Sequence, residues 1–146
     1  MPKFERQEDL ETEQAIFDEI QTAWKCFVVK NKEEYARFDG YVYNSEKTIR
    51  AILEVKNRPT LHWFDVFKHY EISNKKVNGC LEMADKLGVP AILAVNFSGE
   101  ILWVKLRKGY DTKIGGRTRT TRDDAPNDIE EMALIPIDDF KDLVVQ

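Results

Sequence analysis

The sequence predicts an α/β protein in which a mixed central sheet is flanked by helices and the elements follow in the order αβββαββ. Three patterns support this prediction: two segments with apolar residues at helical spacing, a pair of alternating segments typical of a β-hairpin, and one continuous apolar run typical of a buried strand. A chain of 146 residues with 42% hydrophobic residues suits one compact core, so we expect residues 1–146 to form a single domain.

The first element is an amphipathic helix from about Glu8 to Trp24. Its apolar residues recur at steps of three and four, which places them on one stripe of the helix surface. Glu13 falls on the same stripe, three residues before Ile16 and seven before Ile20. We therefore expect this one acidic side chain to point toward the core or toward a cleft.

A short strand at 26–30 (CFVVK) precedes the hairpin. From Tyr35 to Tyr43 the residues alternate as in a strand, the segment NSEK forms a turn, and a second strand runs from Thr48 to about Lys56. The aromatic-rich segment 61–69 is expected to be a connection with a short helical turn, whose rings pack over the sheet.

A second amphipathic helix is predicted from about Glu71 to Leu87. Gly88 suits the C-cap of this helix, and Pro90 follows it. The run VPAILAV (89–95) is a buried strand candidate, and ILWVKL (101–106) is the strand that returns after the turn FSGE.

The last forty residues divide sharply by charge. Residues 105–122 carry seven Lys and Arg side chains against one Asp, whereas residues 123–142 carry eight acidic side chains against one Lys. We expect a core at about 8–106, a basic loop at 105–122 that is mobile without a partner, and an extension at 123–146. Within the extension, ALIPI reads as a short edge strand and IDDFKDL as a terminal turn or helix.

Targeting signals and metal-binding cysteine patterns are not apparent. No apolar run reaches the roughly 20 residues that span a bilayer, and the N-terminus has no apolar segment of a secretory signal. Cys26 and Cys80 are far apart and show no CxxC spacing, so each is expected to be a small core residue. These features predict a protein without a membrane partner that acts in a reducing cytoplasm.

Charged residues interrupt the hairpin where it is otherwise apolar. Asp39 stands in the first strand, and Glu54 and Lys56 flank Val55 in the second. Side chains two apart on a strand share a face, and pairing through the NSEK turn can bring Asp39 close to Glu54. Such charges cost free energy unless they are paired or used.

These three residues suit phosphodiester hydrolysis. Two neighbouring carboxylates repel each other unless a cation lies between them, and Mg²⁺ prefers oxygen ligands. A bound metal ion polarises a phosphate and lowers the pKa of a water, while a nearby ammonium group orients that water and offsets the developing negative charge. The set therefore predicts a nuclease site that uses Mg²⁺ or Mn²⁺.

Asp39 is followed by fourteen residues and then by Glu54-Val55-Lys56. This spacing, within the order of elements given above, closely resembles that of the PD-(D/E)XK nuclease superfamily. The resemblance covers about residues 8–106 and is greatest to small members that are Holliday-junction-resolvase-like or phage-encoded. It implies a restriction-endonuclease-like fold and a metal-dependent DNA endonuclease, either structure-selective or nonspecific.

The resemblance also implies a role for each residue of the site. Asp39 and Glu54 would bind the metal together with the backbone carbonyl of Val55, and Lys56 would act on the water. Glu13 matches a glutamate that many members carry on the first helix and use at the edge of the site. Phe38 stands where the motif has proline, which is not a ligand in that family.

Contacts to DNA are expected on six basic residues, because Lys and Arg side chains bind phosphates. The DNA can be a duplex, a branched molecule or a free end, and the resolvase-like resemblance implies a possible homodimer. The basic loop could equally order a partner subunit. The six residues are Lys68, Lys75, Lys76, Arg117, Arg119 and Arg122.

Two other interpretations remain open at this point. In the first, Glu54 and Lys56 lie on a solvent-exposed strand face, and Asp39 forms an ordinary salt bridge with Arg50 or Lys47. In the second, the scaffold is a non-catalytic nucleic-acid-binding or assembly module, and the three charged residues form a structural ion-pair cluster.

Overall fold

The computed structural model describes residues 7–33, 36–117 and 128–143. None of the helices in these ranges is both long enough and apolar enough to cross a membrane. One-turn 3-10 helices lie at Trp63–Asp65 and Ile137–Asp139. The elements are α1 (Gln7–Trp24), β1 (Phe27–Lys30), β2 (Gly40–Tyr43), β3 (Ile49–Arg58), β4 (His69–Ser73), α2 (Asn74–Leu87), β5 (Ala91–Phe97), β6 (Glu100–Lys105), β7 (Thr112–Arg117), β8 (Asp128–Pro136) and β9 (Lys141–Asp142).

A six-stranded mixed sheet forms the centre of the fold. Its strands lie in the order β1-β2-β3-β5-β6-β9. β3 and β5 are parallel and the other neighbours are antiparallel. A parallel pair needs a crossover connection, which α2 supplies between β3 and β5.

The two helices cover opposite faces of this sheet because side chains alternate along each strand. Leu53 and Val55 of β3 share a buried cluster with Phe17 and Ile20 of α1, whereas Ile52 belongs to the cluster that contains Val77 of α2. The predicted fold class, a mixed sheet between helices, is confirmed.

The start of the second helix was predicted too early. Residues 69–73 form the strand β4, in which Tyr70 and Ile72 are buried on one face while Glu71 is exposed. The helix begins after Ser73, whose hydroxyl caps it by accepting a hydrogen bond from the backbone N–H of Lys76 at 3.4 Å. Its end is as predicted, since Gly88 is the C-cap in the left-handed conformation with φ of 68°.

A second sheet, which the sequence did not predict, has the strand order β4-β8-β7. Residues 112–117 of the expected mobile loop form β7, and the expected short edge strand is β8, nine residues long and central in this sheet. Lys113 of β7 pairs with Glu71 of β4 at 2.8 Å. Residues 118–127 of the basic and acidic segments lie outside the described residues.

The aromatic segment after β3 differs from its expected packing role. Tyr70 is buried and meets Phe97 edge to face, with ring centroids 5.5 Å apart. In contrast, the side chains of Trp63, Phe64 and Phe67 are 40%, 61% and 82% exposed. The difference arises because residues 63–65 form a surface 3-10 turn that buries none of its side chains.

Candidate active site

The hairpin of β2 and β3 brings Asp39 and Glu54 together. Gly40 pairs with Leu53, so Asp39 lies opposite Glu54 at the end of the antiparallel ladder. The backbone N–H of Asp39 donates to the carbonyl of Leu53 at 2.9 Å. The Oδ2 atom of Asp39 accepts a hydrogen bond from the backbone N–H of Val55 at 2.8 Å. The Asp39 carboxylate is therefore fixed to the strand that carries Glu54.

Close packing on the other side of Asp39 keeps its backbone in place. A Cβ atom on Gly40 would lie 2.9 Å from the carbonyl oxygen of Val29, so only glycine lets β2 approach β1 this closely. Asn31 donates its backbone N–H to the carbonyl of Asp39 at 2.8 Å and its side-chain amide to the carbonyl of Phe38 at 3.3 Å. These bonds hold residues 38 and 39 in a bend, so the strand begins at Gly40. Tyr35, where the strand was expected to begin, lies outside the described residues.

The Glu54 carboxyl group is buried, although it lies on a strand rich in apolar residues. Only 3% of the residue is exposed. Its Oε1 atom is enclosed, and no group in the described part of the chain donates a hydrogen bond to it. The burial of Glu54 excludes the interpretation in which this residue lies on a solvent-exposed strand face. A buried acceptor without a donor is also costly in free energy.

Two lysines approach the other oxygen of Glu54. The ammonium nitrogen of Lys56, from β3, is 3.6 Å from Oε2, and that of Lys76, from α2, is 3.7 Å from the same atom. The Lys76 ammonium also donates to the carbonyl oxygen of Arg37 at 3.4 Å. The candidate site therefore contains two carboxylates and two ammonium groups.

Burial raises the pKa of Glu54 from its ordinary value of 4.5 to about 7. The charge of Asp39 raises the pKa further, while Lys76 and Lys56 lower it and offset part of the effect. Cys80 lies beside the site, and burial followed by the charge of Glu54 raises the pKa of its thiol to about 12. Cys80 is thus a protonated core residue rather than a nucleophile.

The donor set fits a hard divalent cation. Asp39 and Glu54 repel each other, and Glu54 presents a buried oxygen without a donor, so a cation would relieve both costs. Among the described residues no three His, Cys, Asp or Glu side chains are grouped closely enough to hold a metal ion on their own. A metal here would rely on the two carboxylates and on a backbone carbonyl such as that of Val55.

Glu13 lies on the opposite face of the sheet from Glu54. It forms an ion pair with Lys30 of β1. It also lines a cavity of about 150 Å³ with Thr12, Ile16, Val55 and Asn57. β3 contributes Val55 to this cavity. The structure does not group Glu13 with Asp39 and Glu54, and the predicted role of Glu13 stays a prediction.

The six predicted DNA-binding residues are placed differently from one another. Lys75 is exposed on α2, and exposed Lys68 lies with its ammonium 5.1 Å from the ring centroid of Phe67. Lys76 instead lies within the candidate site. The backbone of Arg117 ends β7, whereas Arg119 and Arg122 lie outside the described residues.

The position of Lys76 was the part of the site that sequence reasoning missed. The lysine is four residues before buried Cys80, which places both on the inward stripe of α2. That spacing distinguishes Lys76 from its exposed neighbour Lys75. A signal for the inward position was therefore present in the sequence.

Three comparisons with known proteins bear on this geometry. The sequence matches the family described as "Phage putative PDDEXK endonuclease" over residues 1–143. No curated protein matches it. Among solved structures, Hjc, a Holliday junction resolvase from the archaeal hyperthermophile Archaeoglobus fulgidus, matches with a TM-score of 0.54 and 14% identity, covering 92% of this chain and 85% of that chain. At this identity the likeness shows a shared fold, which is the restriction-endonuclease-like fold that the sequence predicted.

Proposed function

Because this chain belongs to the family of phage PDDEXK endonucleases, we propose that it is a metal-dependent nuclease that hydrolyses phosphodiester bonds in DNA. The observation that carries the proposal is the buried Glu54 carboxyl group, which lies against Asp39 and is approached by Lys56. A structural ion pair would not require a carboxyl oxygen that is buried without a donor. A catalytic site tolerates this cost because the same groups are used in the reaction.

Each residue has a defined task in the proposed reaction. Asp39 and Glu54 hold Mg²⁺ or Mn²⁺ together with the backbone carbonyl of Val55. The ion, when bound, polarises the scissile phosphate and lowers the pKa of a water molecule. Lys56 orients the attacking water and offsets the negative charge that develops on the phosphate.

The Val55 N–H···Asp39 hydrogen bond keeps these groups preorganised. It links the first carboxylate to the residue between Glu54 and Lys56, so neither strand of the hairpin can shift without moving the other. Preorganisation of this kind lowers the cost of reaching the transition state, because the charged groups need not reorient during the reaction.

The proposed substrate is DNA that is cut structure-selectively or without sequence preference. The protein with the similar fold is named as a Holliday junction resolvase, so branched DNA is the first substrate to test. We include a homodimer in the proposal, since a junction presents two strands for cutting.

The competing function is a non-catalytic DNA-binding or assembly module on the same scaffold. Calorimetric titration with Mn²⁺ separates the two functions. A nuclease should bind Mn²⁺ at a site that Asp39→Ala removes, whereas Glu46→Ala, at an exposed glutamate in the turn of the same hairpin, should bind as the wild type does. Absence of Mn²⁺ binding by the wild type, or equal binding by Asp39→Ala, would favour the module.

A further inference from the structure

Lys76 reaches the candidate site from a different element than Lys56. Lys56 is on β3, and Lys76 is in the first turn of α2, yet their ammonium groups lie 3.6 Å and 3.7 Å from the same carboxylate oxygen of Glu54. The family pattern Asp39, Glu54 and Lys56 does not include this second lysine.

The surrounding backbone directs Lys76 into the site. Its own N–H donates to the capping hydroxyl of Ser73, which fixes the start of α2. Its ammonium donates to the carbonyl of Arg37, two residues before Asp39. The Lys76 side chain therefore joins the segment that carries Asp39 to the carboxylate of Glu54.

The charges of these groups indicate what Lys76 does when the site is loaded. When both carboxyl groups are ionised and no metal is bound, Asp39 and Glu54 balance Lys56 and Lys76. With a divalent cation held by the two carboxylates, the two ammonium groups leave the site with two excess positive charges. A phosphodiester carries one negative charge, and hydroxide attack raises this to two in the transition state. A site with both lysines therefore matches the transition state, whereas a site with one lysine matches only the substrate.

We propose that Lys76 is a second catalytic lysine, which contacts the scissile phosphate and stabilises the charge that forms during hydrolysis. This inference rests on the proposed nuclease function. The task of Lys76 overlaps only in part with that of Lys56: both offset charge on the phosphate, but Lys56 also orients the attacking water, whereas Lys76 acts on the phosphoryl oxygens alone. This task also differs from a contact to the DNA backbone, because loss of such a contact would lower DNA affinity rather than the rate of the chemical step.

Three variants test the proposal. Lys76→Met keeps the aliphatic stem but removes the charge, and Lys76→Arg restores a cation. Lys86→Met makes the same change as Lys76→Met at an exposed lysine in the last turn of α2. Single-turnover cleavage of branched and linear DNA is measured at saturating protein and Mn²⁺. DNA affinity with Ca²⁺, Mn²⁺ affinity and the melting temperature are measured on the same proteins.

Loss of one preorganised charge-stabilising group should slow the chemical step of Lys76→Met by about 100-fold or more. Its Mn²⁺ affinity, DNA affinity and melting temperature should stay near those of the wild type. Lys76→Arg should recover part of the rate, and Lys86→Met should cut at the wild-type rate.

Three outcomes would overturn the proposal. Cleavage by Lys76→Met within about threefold of the wild type would remove Lys76 from the reaction. A rate loss matched by an equal loss of Mn²⁺ affinity would make Lys76 a structural partner of Glu54, and a loss of DNA affinity alone would make it a backbone contact. If the wild type cut none of the DNAs, the proposed nuclease function would fall together with this inference. If the wild type and Lys76→Met cut DNA at similar rates, only this inference would be overturned.

Discussion

Replacing Glu54 by Gln should remove a pH-dependent loss of stability from the metal-free protein. Burial and then the charge of Asp39 raise the pKa of Glu54 from 4.5 to about 7 in the folded state. In the unfolded chain the pKa returns to its ordinary value, so between these two pH values the folded state binds a proton that the unfolded state has released. The bound proton stabilises the folded state. This stabilisation is fully present below pH 4.5 and is lost as the pH rises through 7.

The size of the effect follows from the two pKa values. A difference of one pKa unit is worth about 1.4 kcal/mol, so the whole difference corresponds to about 3 kcal/mol. Part of it is already lost at pH 5, which leaves a decrease of about 2–3 kcal/mol in the free energy of unfolding between about pH 5 and pH 8. Small proteins have total stabilities of about 5–15 kcal/mol, so this decrease is easily measured.

The assay is urea denaturation in EDTA across this pH range for the wild type, Glu54→Gln and Glu82→Gln. The wild type should lose about 2–3 kcal/mol more than Glu54→Gln as the pH rises. Glu82 is the control, because it is exposed on α2 and its hydrogen bond and ion pair with Arg37 hold the pKa of its carboxyl below the usual value. Glu82→Gln should follow the wild type. Parallel profiles for the wild type and Glu54→Gln would refute the reasoning, because the buried carboxyl would then not titrate abnormally.

Two further predictions concern metal and DNA binding. Asp39→Asn removes the like charge beside Glu54, so in EDTA it should melt at a higher temperature than the wild type, and it should lose the stabilisation that Mn²⁺ gives the wild type. A lower melting temperature together with an intact response to Mn²⁺ would favour a structural ion pair instead. For DNA, replacing three arginines by Ala should weaken binding and flatten its dependence on salt while Mn²⁺ affinity is kept, because each phosphate contact releases counterions. An unchanged salt slope would move the DNA-binding surface toward Lys68 and Lys75. The three arginines are Arg117, Arg119 and Arg122.

Local patterns in the sequence are sufficient to predict the hairpin. Alternation of apolar and polar residues decides which residues of β3 share a face, and a short turn after β2 can bring Asp39 close to Glu54. The exact register is known only from the observed pairing of Gly40 with Leu53. The stripe of α1 also predicts the correct helix, with Glu13 on its inward side. These features depend on neighbours that are close along the chain.

Features that depend on distant parts of the chain were missed. Tyr70 and Ile72 fit a strand as well as the start of a helix, and only the pairing of Ile72 with Ala133 in β8 decides between the two. The spacing between Lys76 and Cys80 indicates the inward position of Lys76, but no local pattern shows that its ammonium group meets Glu54 of β3. The burial of Glu54 depends on α2 packing over β3, which no local pattern specifies.

Cleavage of labelled DNA by the wild type and by Lys56→Ala with Mg²⁺ or Mn²⁺ tests the central claim most directly. Branched, linear duplex and single-stranded DNA are offered to both proteins, and cleavage is followed over time. The wild type should cut at least one of these DNAs only when the metal is present, and Lys56→Ala should not cut while it still binds metal and DNA, because the lysine acts on the reaction rather than as a ligand. Absence of metal-dependent cleavage by the wild type, or near wild-type cleavage by Lys56→Ala, would contradict the assignment of this site.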